Sequence, residues 1–165
     1  MKKKLSLIAL IGAAGITSSH AATYILSGTI DPIQATTNAS NVGSGSGTIS
    51  GDYDDSTNLL NYSITWMDLT SAVTNMHFHL GAPGATGGVQ LAVAGPWTSP
   101  QMGSETLSET LETNLLAGNW YLNIHTSDFG GGEVRGQVEV SPVPEPSASL
   151  LALGALPILL LRRRA

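Results

Sequence analysis

Two histidines separated by one residue, His77 and His79, stand in the segment Met76-His77-Phe78-His79-Leu80. Side chains alternate across a strand, so Met76, Phe78 and Leu80 share the core face and both imidazoles share the other. A third histidine, His125, lies in Trp120-Tyr121-Leu122-Asn123-Ile124-His125-Thr126. There Trp120, Leu122 and Ile124 read inward, and Tyr121, Asn123 and His125 read outward. The next segment, 133–140, directs Val134, Gly136, Val138 and Val140 inward and Glu133, Arg135 and Gln137 outward. If these strands are neighbours, His77, His79, His125, Glu133 and Arg135 form one patch.

Two chemistries fit such a patch. Histidines at i and i+2 reach one ion from a strand, and a third from a neighbouring strand completes a three-nitrogen set for Cu or Zn. Neutral imidazoles in that set favour Cu²⁺ over Zn²⁺ and release metal as pH falls. The other chemistry is a hydrogen-bonded network of Asn123, Glu133, Arg135 and Gln137, in which Arg135 pairs with a carboxylate and the histidines bond backbone carbonyls. The residues alone leave both open. Catalysis has less support, because no serine stands in a nucleophile-elbow context.

The elements that must hold this patch are short alternating segments separated by Gly, Asp, Asn and Pro. Strands are expected at 24–30, 47–52, 59–67, 73–80, 89–93, 119–126 and 133–140. Leu107, Leu111 and Leu115 recur every four residues, which predicts a short helix near 110–117 ending at Gly118, with room for a strand before it. About seven strands point to an all-β, antiparallel, Greek-key-like sandwich. Asp52, Asp54, Asp55 and Asn58 read as a solvated hairpin turn, since the Gly and late Glu of a calcium loop are missing. Trp66 and Trp120 read as core, and Trp97, beside Pro96, as an exposed platform.

The 165-residue chain has no cysteine, so the domain must be held by core burial alone. From 22 to 143 there are eleven acidic residues and one basic residue, Arg135, for a formal charge of −10. That balance repels phosphate backbones and anionic lipid and excludes nucleic acid as a partner class.

Both ends read as processing segments. Lys2-Lys3-Lys4, the apolar run 5–16 and the small residues before Ala22 make 1–21 a signal peptide for signal peptidase. Residues 22–141 form the domain. The tail, 142–165, holds Pro144-Glu145-Pro146, an apolar run at 147–161 and the cluster Arg162-Arg163-Arg164. At ~1.5 Å per residue the run covers ~22 Å as a helix, short of a ~30 Å hydrocarbon core, and fits transient membrane contact better than a permanent anchor.

This tail resembles a PEP-CTERM sorting signal. The resemblance implies a Gram-negative bacterium and delivery to the cell surface or extracellular matrix. It also implies transient inner-membrane anchoring and cleavage by an exosortase-type protease that reads Pro144, Glu145 and Pro146. Exopolysaccharide or other matrix components would then be the partners of a non-enzymatic surface module.

The middle resembles the CHRD domain. The matching blocks are Leu26-Ser27-Gly28, then His77 through Gly84, then Tyr121-Leu122-Asn123-Ile124-His125-Thr126 leading into Gly132-Glu133-Val134-Arg135-Gly136-Gln137. The segment near Asp31 departs from the family, where a Glu followed by prolines is usual. The resemblance implies that strands 73–80 and 119–126 are close in space. The His-x-His strand is also similar to that of copper–zinc superoxide dismutases. Their bridging histidine and disulfide cysteines have no counterpart here, so dismutation is not supported.

Overall fold

A computed structural model describes residues 22–35 and 43–144. Among these residues, two antiparallel sheets and one helix make up a Greek-key-like sandwich. The first four strands are β1 (Thr23–Ile30), β2 (Ser46–Asp54), β3 (Leu59–Met67) and β4 (Val73–Leu80). β5 (Val89–Ala92) and β6 (Gln101–Thr106) follow, then α1 (Glu109–Leu116), and the chain closes with β7 (Trp120–Thr126), β8 (Val134–Gln137) and β9 (Glu139–Pro142). One sheet has the order β6-β3-β2-β1-β9 and the other β5-β4-β7-β8.

Period-two alternation builds the core. Leu26 and Ile30, Ile49 and Tyr53, and Leu60 and Ile64 from the first sheet meet Met76, Phe78, Trp120, Leu122 and Ile124 from the second, all buried. Tyr62 meets Phe78 edge-on at 5.4 Å between ring centroids, which joins the sheets through an aromatic contact. Trp120 is fully buried, and Trp66 packs against the core from its border.

The described residues form nine strands rather than about seven. β6 is largely exposed on the sheet edge, so it shows little of the apolar alternation that marks the others. The segment 133–140 is not one strand. It divides at Val138, whose N–H donates to the Trp120 carbonyl at 2.9 Å, and the chain passes there from one sheet to the other. The helix occupies Glu109–Leu116, buries Leu115 and ends at Gly118, whose φ of 71° suits glycine.

The ends of the sandwich are paired. β9 lies against β1 with Tyr24 opposite Pro142, and the Val143 N–H donates to the Thr23 carbonyl at 2.8 Å. The signal segment 1–21 and the tail from Glu145 onward, including Pro146 and Arg162, Arg163 and Arg164, lie outside the described residues. Among the described residues no helix is long and apolar enough to cross a membrane.

Candidate metal centre

Strands β4 and β7 are hydrogen-bonded neighbours in the second sheet, with His77 opposite Asn123 and His79 opposite Tyr121. His125 sits opposite Asn75, one diagonal step from His77. The centroids of the His77 and His79 rings are 5.5 Å apart, those of His77 and His125 5.3 Å, and those of His79 and His125 6.3 Å. One ring nitrogen from each histidine lies within 4.8 Å of those of the other two. Among the described residues no carboxylate joins this group, so its donors are three imidazoles.

Two glycine-rich loops set which nitrogens face inward. The His79 Nδ1 lies 3.0 Å from the Gly87 carbonyl in the β4–β5 loop. The His125 Nδ1 lies 2.9 Å from the Gly130 carbonyl in the β7–β8 loop. A carbonyl only accepts, so both Nδ1 atoms carry the proton and both Nε2 atoms keep a lone pair. This is the outer hydrogen bond that commonly orients a metal-ligating histidine. The His79 Nε2 and His77 Nδ1 are buried and have no hydrogen-bond partner. Buried polar atoms are rarely left so, and an ion bound there would satisfy both. The site therefore fits a metal held by His77, His79 and His125.

Burial holds the His77 imidazole below its usual basicity, and the neighbouring His125 and His79 add to the effect. Burial does the same to His79, against the opposing hydrogen bond from Gly87 and with help from His125 and Arg135. Both rings are thus kept neutral, the form that binds metal.

The remaining polar residues frame the site. Arg135 is buried beneath the β4–β5 loop and donates to the Ala85 carbonyl at 2.7 Å, the Ala82 carbonyl at 3.3 Å and the Gln137 Oε1 at 3.2 Å. Its guanidinium carbon lies 3.4 Å from the centroid of the Tyr121 ring, and the His79 ring stacks on Tyr121 at 5.1 Å and 12°. Gln137 donates to the Gly81 carbonyl at 3.0 Å and to the Gly118 carbonyl at 2.8 Å. Asn123 is buried, donates to the Gly131 carbonyl at 3.1 Å, and stands 3.4 Å from the His125 Nε2. Arg135, Gln137 and Asn123 thereby secure the loops that orient the histidines. The network and the histidine cluster are parts of one arrangement rather than alternatives.

Glu133 is placed elsewhere. It precedes β8, so strand alternation does not govern it, and Gly132 just before it has a φ of 117°. Its carboxylate accepts from the Thr70 N–H at 2.6 Å, the Thr70 hydroxyl at 2.7 Å and the Thr126 hydroxyl at 2.7 Å. Thr126 shares the inward parity of β7, so this fully buried group ties two loops together away from the histidines. Trp97 is half-buried against the core and donates to the Val93 carbonyl at 2.9 Å, so it is not a free platform.

Sequence reasoning missed Gly87, Gly130 and Tyr121 as parts of the site. The backbone carbonyls carry no residue signature. Tyr121 was legible only as an outward aromatic. Among the described residues the histidine hydrogen bonds go to carbonyls and to Asn123, and no catalytic constellation is formed.

No curated protein and no solved structure matches the chain. The CHRD domain model matches residues 26–138, from β1 through the crossover at Val138, and takes in every residue of the histidine cluster and its supporting network. The chain belongs to the CHRD domain family.

Proposed function

We propose that this CHRD domain is a non-enzymatic transition-metal-binding module whose ligands are His77, His79 and His125. The carrying observation is the convergence of three ring nitrogens within 4.8 Å, two of them on rings whose far nitrogen is fixed by a loop carbonyl. An imidazole-only set suits Cu or Zn, and raw affinity favours Cu²⁺ over Zn²⁺. Electron paramagnetic resonance of the Cu²⁺-loaded protein tests the reading. Hyperfine coupling from three equivalent-strength nitrogens supports it, and a spectrum dominated by oxygen ligands counts against it.

We further propose that the protein is exported and sorted to the cell surface or matrix of a Gram-negative bacterium. The basis is the terminal sequences, 1–21 and 142–165, with Pro144-Glu145-Pro146 as the motif read by an exosortase-type protease. The transient membrane contact is then made by 147–161, and exopolysaccharide is the partner class this route implies. Intact-mass measurement of the exported protein tests it. A mass starting near Ala22 and lacking Ser147–Ala165 is expected, and retention of that tail in an exosortase-proficient strain overturns the sorting claim.

A further inference from the structure

We infer that the ion this site holds most tightly is monovalent copper, Cu⁺, in preference to Cu²⁺ or Zn²⁺. The inference rests on the metal-binding reading above and adds the oxidation state to it.

Charge is the first ground. All three donors are neutral, and among the described residues no carboxylate or thiolate stands within ligating reach. A Cu⁺ complex here carries one net charge, whereas a Cu²⁺ or Zn²⁺ complex carries two. The cost of transferring an ion out of water grows with the square of its charge, so a divalent ion loses more hydration for the same three nitrogens. The His79 Nε2 and His77 Nδ1 have no solvent exposure, so water does not compensate at those ligands.

Coordination number is the second ground. Cu⁺ has a filled d shell and is content with three ligands. Zn²⁺ and Cu²⁺ complete their tetrahedral and square sets here only by adding water or another outside ligand. Three converging histidines are what this face supplies.

The third ground is Arg135. Its guanidinium lies against one ring, Tyr121, on which the ligand His79 also stacks. Arg135 is buried, and the Tyr121 ring links its guanidinium to the ligand ring of His79. It opposes a second positive charge on the bound metal more than a first. The acidic surface draws cations of either charge, but across solvent its effect fades over roughly 8–10 Å.

Competition against chelators of known affinity tests this on the purified full-length exported protein. Cu⁺ is measured anaerobically with a chromophoric Cu⁺ chelator, and Cu²⁺ and Zn²⁺ in parallel titrations. Cu⁺ is expected to bind about tenfold or more tightly than Cu²⁺. By linkage, voltammetry of the loaded protein should then show a potential at least ~59 mV above that of aqueous copper. Arg135→Gln should narrow the preference, and Arg135→Lys should keep most of it. If Arg135→Gln does not fold, the wild-type ratio decides alone. Equal or tighter binding of Cu²⁺ in the wild type overturns this inference and leaves the metal-site reading standing. Absence of binding by all three ions overturns both.

Discussion

The Gly87 carbonyl accepts the Nδ1 proton of His79 at 3.0 Å, and a side chain on Gly87 would drive its Cβ into the Leu80 carbonyl oxygen. A surface loop is thereby fixed by a residue without a side chain, and the loop fixes the tautomer of a proposed metal ligand. Gly87→Ala must move the loop and release His79 from its partner. Loss of such an outer hydrogen bond commonly costs 10–100-fold in metal affinity. We expect Cu²⁺ affinity to fall by about that factor while far-ultraviolet circular dichroism stays that of a β-sandwich. Unchanged affinity would show that the Gly87 carbonyl does not orient the ligand.

Arg135 is the clamp of the same loop. Arg135→Met retains much of the buried stem and removes the donors to the Ala82 and Ala85 carbonyls. Stability should fall by about 1–3 kcal/mol in urea unfolding. Hydrogen exchange should rise across 81–88 more than across 127–132. Uniform exchange across both loops would contradict the clamp.

Glu133 separates structural from metal-binding roles. Glu133→Gln turns an amide toward the donors of Thr70 and Thr126, which lose a charge-assisted acceptor. A loss of about 1–3 kcal/mol is expected, with metal affinity unchanged within error. A drop in affinity larger than the drop in stability would return Glu133 to the histidine site.

Protonation provides a pH test. His77 and His79 are held below their usual value of 6.5, chiefly by burial. Histidines in the unfolded chain keep their ordinary basicity, so the unfolded state takes up protons first as pH falls through about 6.5. It then binds more protons than the native state, and stability declines with falling pH. Well above 6.5 both states are neutral at these rings and they contribute no slope. The metal-free protein should therefore lose thermal midpoint between about pH 6.5 and 5.5, before carboxylates titrate. His77→Gln should flatten that slope, and an equally steep decline in the variant would assign it to other groups.

Most of the sandwich was legible because its strands are half-buried, and half-burial writes a period of two into the sequence. β3, β4 and β7 are plain in Leu60, Tyr62 and Ile64, in Met76 and Phe78, and in Trp120, Leu122 and Ile124. β6 was faint because an exposed edge strand has little reason to alternate. The division of β8 from β9 was invisible because Val138 faces the core in either sheet and leaves the alternation unbroken. Within the site, the shared faces of His77 with His79 and of Asn123 with His125 follow from spacing alone. Their convergence requires the pairing of β4 with β7, a long-range fact that no local pattern carries. Glu133 was misassigned because alternation was extended one residue beyond the strand, past the backbone turn at Gly132.

In the proposed function His77, His79 and His125 act as one metal site. Calorimetric titration of the purified, tag-free exported protein with Cu²⁺ and Zn²⁺, beside His125→Ala and His79→Ala, tests it most directly. The expected result is one equivalent of metal in the wild type, Cu²⁺ tighter than Zn²⁺, and a loss of about 100-fold or more in each variant. Equal, weak binding by all three proteins would contradict the account and leave the histidines as supports for the loops.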